Sequence, residues 1–594
     1  MSVNKYLNLS KFIWLGRFLE SMTKTFCLPE VKYTQLFIGN EFVDSKSKKT
    51  FPTINPTTED VICHVQEADQ NDVNKAVESA KAAFKTGSTW RTMDASERGV
   101  LLHKLADLIK MNAEYIALFI GNEFVDSKSK KTFPTINPTT EDVICHVQEA
   151  DQNDVNKAVE SAKAAFKTGS TWRTMDASER GVLLHKLADL IKMNAEYIAR
   201  LEAMDNGKTV DLALDDVLFA AQTTRYYAGY ADKIHGKQLP VDGNMITFTR
   251  REPLGVVACI TPWNYPFLLS VLKCTPCLCA GCTVVLKPAE QTPLSALYLA
   301  ALTKEAGFPP GVFNVICGYG ETTGEALTHH PDVRAISFTG STEVGQLIMK
   351  AAATNIKHVK LELGGKSPLI ILADADIEKA AEVAHEATMV NHGQCCVAGT
   401  RVFVQAPIYD QMVEKLKRLA EQRKVGDPFV SGTIQGPQID NVQFDKIMSY
   451  IEKGKKQGAR LVTGGCRIGK KGYFIQPTVF ADVSDEMCIA KEEIFGPVQC
   501  ILKFNTLEEV IERANATHYG LGAGVFTSDM DKAMRIAQCV EAGSFWINSY
   551  NLISPQTPFG GYKMSGMGRE LGKEALDGYL QTKVISMPIS VKNS

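Results

Sequence analysis

Short apolar stretches recur along the chain after residue 200, and more polar stretches with a helical period separate them. The strand-like stretches lie at 255–262, 283–288, 313–318 and 335–340 and are rich in β-branched residues, and residues 294–306 form one of the helical stretches between them. Alternating strands and helices are typical of a parallel sheet covered by helices. The pattern therefore predicts an α/β fold.

Before this region the chain contains a perfect repeat, because residues 36–117 recur without a single substitution at residues 118–199. Natural repeats drift apart, and stable arrays usually need about three units or more. Two perfect copies therefore indicate a recent tandem duplication or an error of sequence assembly, rather than a two-unit solenoid. In the second copy the pattern predicts strands around 118–125 and 143–147, a helix over 154–167 and another helix from Ser178.

Only one of the two copies can occupy a given place in a core. The second copy continues directly into the downstream sequence RLEAMDNGKT, and the first copy keeps the upstream context. The junction at Ala117 and Leu118 has no Gly, Pro or Ser linker. We expect the second copy to take the native place and the first copy to be surplus.

One candidate cofactor site lies in FTGSTEVG (338–345), which follows a predicted strand and begins a helix. Gly340 permits close approach of the backbone, Ser341 and the helix N-terminus can receive a phosphate oxygen, and Gly345 permits close helix packing. Lys287 and Glu290 follow another strand, and an acidic group there favours NAD over NADP. Taken alone, a structural turn and a solvated Lys/Glu pair explain these two motifs equally well.

The candidate chemistry lies in three further motifs. GQCC places Cys395 and Cys396 in a polar turn, LELGGKSP places Glu362 before a Gly-Gly turn, and TPWNYPF holds Asn264 between prolines. A reachable thiolate, a carboxylate base and a fixed amide donor are the groups that acyl chemistry needs. The residues alone also allow a buried small cysteine, a salt-bridged Glu and a turn Asn.

Composition narrows the class of protein. The chain has 65 basic and 67 acidic residues, so no strong overall charge favours a nucleic acid or membrane partner. Its fifteen cysteines have no disulfide-scaffold spacing, which favours a reducing compartment. The first 30 residues mix Lys and Arg with aromatic residues, which allows a mitochondrial presequence, although Glu20 argues against one. The alternative is a simple N-terminal extension.

These motifs, together with LKPAEQTPLSALY, GFPPGVFN, AKEEIFGPV and PFGGYKMSGMGREL, resemble the aldehyde dehydrogenase superfamily in their order along the chain. The resemblance is greatest to the class 1/2 enzymes acting on retinal, acetaldehyde and other aliphatic aldehydes, and it runs from about residue 118 to 594. It implies a Rossmann-like NAD-binding domain, an α/β catalytic domain and a small β oligomerisation hairpin.

The resemblance also implies roles for individual residues. Cys396 matches the nucleophile with Cys395 beside it, Glu362 matches the general base, and Asn264 matches the oxyanion donor that acts with the backbone N–H of Cys396. Lys273 matches a lysine near the active site. The positions that match NAD contacts are Ile260, Trp263, Lys287, Glu290, Gly340, Ser341, Gly345, Glu493 and Phe495.

The same resemblance leads us to expect particular domain limits, an oligomeric state, a substrate and a compartment. We expect a homo-oligomer, dimer or tetramer, with an aldehyde as its small-molecule substrate, in the cytoplasm or alternatively the mitochondrial matrix. The expected segments are an N-terminal extension (1–35), the surplus copy (36–117), the NAD-binding domain (118–230 and 253–364), the oligomerisation strands (231–252 and 580–594) and the catalytic domain (365–579).

Three alternatives to this function remain open. A catalytically silent binding protein is disfavoured because Cys396, Glu362 and Asn264 are all present, and a coenzyme-A-acylating or semialdehyde enzyme is disfavoured because Glu362 favours water as the acyl acceptor. The third alternative is a metal-binding protein, because CTPCLCAGC (274–282) has the spacing of a metal site. The resemblance instead implies a buried helix there, in which cysteine serves as a small apolar residue. We therefore expect no metal.

His392 lies four residues before Cys396, and we expect it on the pocket side or the surface.

The expected substrate class depends on the tunnel walls. Leu272, Val390 and Ile553 stand where relatives that prefer acetaldehyde often carry aromatic rings, and Phe559 supplies one aromatic wall. Smaller side chains would widen the tunnel, which favours retinal or medium-chain aliphatic aldehydes.

Overall fold

The computed structural model describes residues 35–38, 41–54, 61–83 and 115–591. The chain divides into two units, residues 1–113 and 114–594, and each is described by itself. The possible presequence in the first 30 residues lies outside the described residues.

The described part of the first unit contains short antiparallel strand pairs and one helix. Leu36–Ile38 pairs with Glu41–Val43, and Thr50–Ile54 pairs with Val61–Gln66. The helix Gln70–Ala83 follows. Two of its apolar side chains, Val73 and Val77, are 46% and 45% exposed.

The second unit begins with the same local structure, displaced along the sequence by the repeat. Its strands Leu118–Ile120, Glu123–Val125, Thr132–Ile136 and Val143–Gln148 lead to the helix Gln152–Phe166. The equivalents of Val73 and Val77 are Val155 and Val159, which are 0% exposed. Phe133 is 2% exposed and its equivalent Phe51 is 50% exposed. Identical sequences therefore form the same local elements, but within the described residues only the second copy buries these side chains.

The larger sheet of the second unit has eight strands, five of them parallel. In order across the sheet they are Gly566–Met567, His358–Glu362, Ala335–Thr339, Val256–Ile260, Thr283–Lys287, Phe313–Val315, Leu118–Ile120 and Glu123–Val125. The second to sixth strands in this order are the parallel ones, and every residue of four of them is buried. This arrangement confirms the predicted α/β class.

Helices cover this sheet, and they form in the segments whose apolar residues recur with a helical period. The helix predicted at 294–306 is Leu294–Ala306, and the helix predicted from Ser178 is Ala177–Met193 with a capping box between Asp176 and Glu179. The remaining helices and helical turns of this part are Thr171–Thr174, Ala195–Asn206, Val210–Ala228, Ala231–Lys233, Pro266–Cys279, Gly320–Gly324, Glu325–His329 and Thr342–Ala352.

A second sheet lies further along the chain and has seven strands. In order they are Arg460–Thr463, Thr478–Ala481, Val498–Phe504, Arg401–Gln405, Pro368–Ile371, Gly522–Phe526 and Ser544–Ile547, and only the first runs antiparallel to its neighbour. The helices and helical turns after residue 376 are Ile377–Met389, Val390–Gly393, Ala406–Ile408, Tyr409–Gln422, Asn441–Lys456, Cys488–Lys491, Leu507–Asn515, Met530–Cys539, Lys563–Ser565 and Glu574–Tyr579.

Three strands form a small antiparallel sheet of their own, Gln238–Leu239, Met245–Pro253 and Leu580–Pro588. The first two strands are the expected hairpin. The third strand, from the C-terminal part of the same chain, pairs with the second strand of the hairpin. Tyr115–Ile116 adds a parallel edge to the pair Thr132–Ile136 and Val143–Gln148. Among the described helices, none is long and apolar enough to cross a membrane.

Candidate active site

Glu362 is a buried carboxylate at the carboxyl end of the strand His358–Glu362. It is 4% exposed, and neither of its oxygens has a hydrogen-bond partner among the described residues. Burial and the nearby Glu570 raise the pKa of Glu362 well above its usual range, while Lys273 and Lys360 act in the opposite direction. A buried acid without a partner is unfavourable for folding, so such a group is a candidate for chemistry.

The Gly364–Gly365 turn that follows Glu362 brings three functional groups together. The Gly365 N–H donates to Glu493 Oε1 at 2.9 Å. A Cβ added at Gly365 would lie 2.3 Å from the carbonyl oxygen of Cys396, and one added at Gly364 would lie 2.4 Å from Glu493 Oε2. The turn therefore requires glycine, and through it the segment of Glu362 lies against both Cys396 and Glu493.

The thiol pair follows a loop with three consecutive residues in the left-handed region, Asn391 (φ 48°), His392 (φ 62°) and Gly393 (φ 75°). Cys395 packs into the core of the second sheet and is 6% exposed, whereas Cys396 is half-buried and more accessible. The adjacent Cys395 thiol, burial and the nearby carboxyls raise the pKa of Cys396, so its resting form is the thiol.

His392 differs from the expectation of a pocket-side or surface position. It is fully buried, with Nδ1 2.9 Å from Pro437 O and Nε2 accepting from the Gly436 N–H at 3.0 Å. Burial lowers the pKa of His392 to about 3, so the ring is neutral at physiological pH. Both ring nitrogens hold the loop before Cys396 to the segment 436–437.

Asn264 is tied to the same loop. Its side-chain Nδ2 donates to the backbone oxygen of Gln394 at 3.0 Å, and its backbone oxygen accepts from Asn391 Nδ2 at 2.8 Å. An amide nitrogen has two hydrogens, so one N–H remains to stabilise a developing oxyanion. Next to Asn264 in the chain, the Trp263 ring packs against the Phe495 ring in a T-shaped arrangement, with 5.2 Å between the ring centroids.

Lys273 is fully buried and forms an ion pair that the sequence reasoning did not foresee. Its Nζ lies 2.8 Å from Glu570 Oε1, and Lys360 Nζ lies 3.0 Å from Glu570 Oε2. Because Lys360 stands two residues before Glu362 in the same strand, the sequence could have identified it as a neighbour of that carboxyl group. Glu570 lies in a quoted motif, but no local pattern distinguished it from a surface acid.

The candidate nucleotide residues lie at the carboxyl ends of the parallel strands. Ile260 and Lys287 end neighbouring strands, and Lys287 Nζ lies 3.6 Å from Glu290 Oε2. Ser341 caps the helix Thr342–Ala352 by accepting from the Val344 N–H. A Cβ added at Gly345 would come within 2.7 Å of Leu363, so glycine allows this helix to pack closely on the strand that carries Glu362.

The cysteine-rich segment is part of the buried helix Pro266–Cys279 and the turn after it. Cys274, Cys277, Cys279 and Cys282 are all buried free thiols. Within the described parts of the chain, no group of three or more His, Cys, Asp or Glu side chains is arranged to hold a metal ion. Burial raises the pKa of Cys279 to about 12, as expected for a small core residue.

The expected tunnel residues have different degrees of exposure. Leu272 is buried, Val390 and Phe559 are half-buried, and Ile553 is exposed at the surface. Phe559 and Glu570 exchange two backbone hydrogen bonds of 2.7 Å, so this wall is continuous with the buried ion pair.

The site has three parts. Residues suited to binding a nucleotide lie at the carboxyl edge of a parallel sheet, a thiol lies beside a buried carboxyl group without a hydrogen-bond partner, and an amide is fixed to the thiol loop. Together they define a dinucleotide-dependent oxidoreductase with a cysteine nucleophile. Comparison with known proteins agrees with this class. The chain matches the aldehyde dehydrogenase family over residues 42–123 and 124–585.

Individual relatives cover most of the chain. Aldehyde dehydrogenase 1A1 from Gallus gallus is 56% identical over 486 residues, which are 82% of this chain and 96% of the relative. The mitochondrial aldehyde dehydrogenase from Sus scrofa is 56% identical over 482 residues, 81% of this chain and 92% of the relative. The structure of the NAD+ complex of a Bacillus cereus aldehyde dehydrogenase matches with a TM-score of 0.80 and 49% identity, over 82% of this chain and 99% of that one.

This chain belongs to the aldehyde dehydrogenase family, which confirms the family resemblance of its motifs. Its activity is the oxidation of aldehydes. The alternative of a catalytically silent binding protein has no support in these similarities.

Proposed function

We propose that this protein oxidises aldehydes to carboxylic acids with NAD, through a thioester on Cys396. The observation that supports it is the close approach of Gly365 to Cys396, which brings an accessible thiol next to the segment of a buried, unpartnered Glu362. A nucleophile and a base in one water-poor site are what a two-step acyl reaction requires.

The cofactor is NAD, and the residues at the strand ends fit it. Lys287 and Glu290 would hold the adenosine ribose, and a carboxylate there would repel a 2′-phosphate. Ser341 and the start of the helix Thr342–Ala352 would receive the pyrophosphate, and Glu493 and Phe495 would hold the nicotinamide ribose and ring. Ile260, Trp263, Gly340 and Gly345 would line the same groove. When bound, NAD supplies the acceptor for the hydride that leaves the aldehyde carbon.

In the acylation half of the reaction, the Cys396 thiol loses its proton to water and the thiolate attacks the aldehyde carbon, which then loses its hydride and becomes the thioester carbon. The remaining N–H of Asn264 and the backbone N–H of Cys396 donate to the oxyanion, and one such donor is worth about 3 kcal/mol. Hydrogen bonds to Asn391 and Gln394 fix the Asn264 loop in position relative to the thiol loop.

In the hydrolytic half, Glu362 takes a proton from a water that attacks the thioester carbonyl. The carboxylic acid leaves, and Cys396 departs as a thiolate that takes up the proton held by Glu362. The raised pKa of Glu362 suits a base that has to accept a proton, because a carboxylate with an ordinary pKa is a weak base.

Replacing Glu362 by glutamine tests this assignment. We expect E362Q to form the thioester with a burst of NADH close to one equivalent per active site, and then to turn over on the order of 100-fold or more slowly, because general-base catalysis contributes about that much. Rapid mixing with fluorescence detection of NADH separates the two phases. Steady turnover equal to that of the unchanged protein would remove Glu362 from the reaction.

The substrate class follows from the tunnel residues. Leu272, Val390 and Ile553 leave more room than aromatic side chains would, so we propose retinal or medium-chain aliphatic aldehydes as substrates. We expect a higher kcat/KM for a medium-chain aldehyde than for acetaldehyde in competing steady-state assays. A clear preference for acetaldehyde would contradict this substrate class.

Segment roles and setting complete the proposal. Residues 118–230 and 253–364 form the NAD-binding domain, residues 365–579 form the catalytic domain, and residues 36–117 are a surplus copy. Residues 231–252 and 580–594 serve a dimer or tetramer, supported by exposed apolar side chains on this small sheet such as Met245, Val584 and Met587. The free thiols of the described cysteines fit a reducing compartment, the cytoplasm or alternatively the mitochondrial matrix.

A further inference from the structure

Lys360 is a buried cation on the strand that ends at Glu362. Alternate residues of a strand point to the same face, so Lys360 and Glu362 share one side of the strand His358–Glu362. Lys360 is almost completely buried. An ammonium group in such a place is costly unless anionic or polar partners surround it.

The partners of Lys360 are Glu570 and Tyr579. Its Nζ lies 3.0 Å from Glu570 Oε2, donates to the Tyr579 hydroxyl at 2.8 Å and lies 4.4 Å from the centre of the Tyr579 ring. The other Glu570 oxygen accepts from Lys273 at 2.8 Å. The buried Glu570 carboxylate therefore lies between two ammonium groups.

The charge balance of this cluster leaves one cation without its own anion. Glu570 neutralises one of the two lysines, and the remaining positive charge is matched by Glu362 when that carboxyl is ionised. The charged or titratable groups that act on Glu362 are Glu570, Lys273, Lys360, Arg569 and Cys396. Removing Lys360 would leave Glu362 facing a neutral Lys273–Glu570 pair, with Arg569 as the remaining cation that acts on it.

We propose that Lys360 is a positioning residue for thioester hydrolysis, which supplies the counter-charge that lets Glu362 carry its negative charge in a buried site. Lys360 does not touch the substrate and acts through Glu362. The inference rests on the proposed role of Glu362 as the base.

The sign of the expected effect follows from the charge. Glu362 works as a base in its ionised form, so hydrolysis becomes faster as the pH rises through its pKa. Loss of a nearby cation raises the pKa of a carboxyl group. In the variant K360M, the pH midpoint of hydrolysis should therefore move upward by about one unit, which makes hydrolysis about tenfold slower below the midpoint.

The test is the pH dependence of acyl-enzyme decay in single turnovers with NAD and a medium-chain aldehyde. A second variant, K360M/E570Q, removes one positive and one negative charge and leaves Lys273 to balance Glu362. We expect its midpoint to return toward that of the unchanged protein. A merely structural loss would lower the rate at every pH and would not be reversed by the second substitution.

E362Q, measured in parallel, separates the possible failures. If E362Q hydrolyses the thioester at the normal rate, the proposed base and the role of Lys360 are both wrong. If E362Q is defective but the midpoint of K360M does not move, only the role of Lys360 is wrong. An upward shift in K360M that K360M/E570Q reverses supports the inference.

Discussion

Replacing Cys396 by alanine should abolish NADH formation from an aldehyde and NAD. Removal of a catalytic nucleophile lowers kcat by about 10⁵–10⁶-fold in well-studied enzymes, and we expect a loss of that order. The physical reason is that Cys396 is the accessible thiol of the pair, whereas Cys395 belongs to the core of the second sheet. Fluorescence of NADH under saturating substrate measures the loss.

The neighbouring thiol provides a matched control. Cys395→Ala removes an atom of the same kind one residue away, and it also removes the neighbouring thiol that raises the pKa of Cys396. We expect activity within about tenfold of the unchanged protein, with the pH dependence of acylation shifted to lower pH. Activity retained without Cys396 but lost without Cys395 would reassign the nucleophile to Cys395.

Placing a charge at Val159 should unfold the second unit, whereas the same change at Val77 should be tolerated. Val159 is fully buried in the helix Gln152–Phe166, and an unpaired buried carboxylate costs about 4 kcal/mol or more. Val77 occupies the equivalent position of an identical helix but is exposed, where a substitution typically costs within about 0.5 kcal/mol. Denaturant unfolding monitored by residual activity measures both changes.

The repeat makes this pair of variants unusually well matched, because local sequence, helix propensity and added charge are the same in V77D and V159D. A difference in unfolding free energy then reports only the tertiary surroundings. Equal losses would show that the first copy is as buried as the second. Survival of both single variants with loss of the double variant would show that the two copies can replace each other.

Local patterns predicted the elements of the second unit closely. The helix Leu294–Ala306 has the predicted limits, and the helix predicted at 154–167 is Gln152–Phe166 because Asp151 and Asp154 form a capping box at its start. Such limits depend on neighbouring residues and can be recognised in the sequence. Burial of the first copy could not be predicted from its pattern, since that pattern is the same in both copies.

The candidate site shows the same division between local and long-range information. The motifs indicated which residues have suitable chemistry, but the Lys360–Glu570 pair joins residues 210 positions apart, and no local pattern connects them. His392 was misplaced for a related reason. A polar side chain suggests exposure, and only the tertiary structure supplies the Gly436 and Pro437 partners that make its burial favourable.

The two helices Gln70–Ala83 and Gln152–Phe166 have one sequence over their shared length but different surroundings. Protease fragments cut from within the shared part have the same mass whichever copy they come from. Hydrogen exchange read by mass spectrometry therefore adds the isotope pattern of an exposed helix to that of a buried one, which open at different rates. In this protein, a split isotope envelope can arise from two places in a single molecule and does not require two conformations.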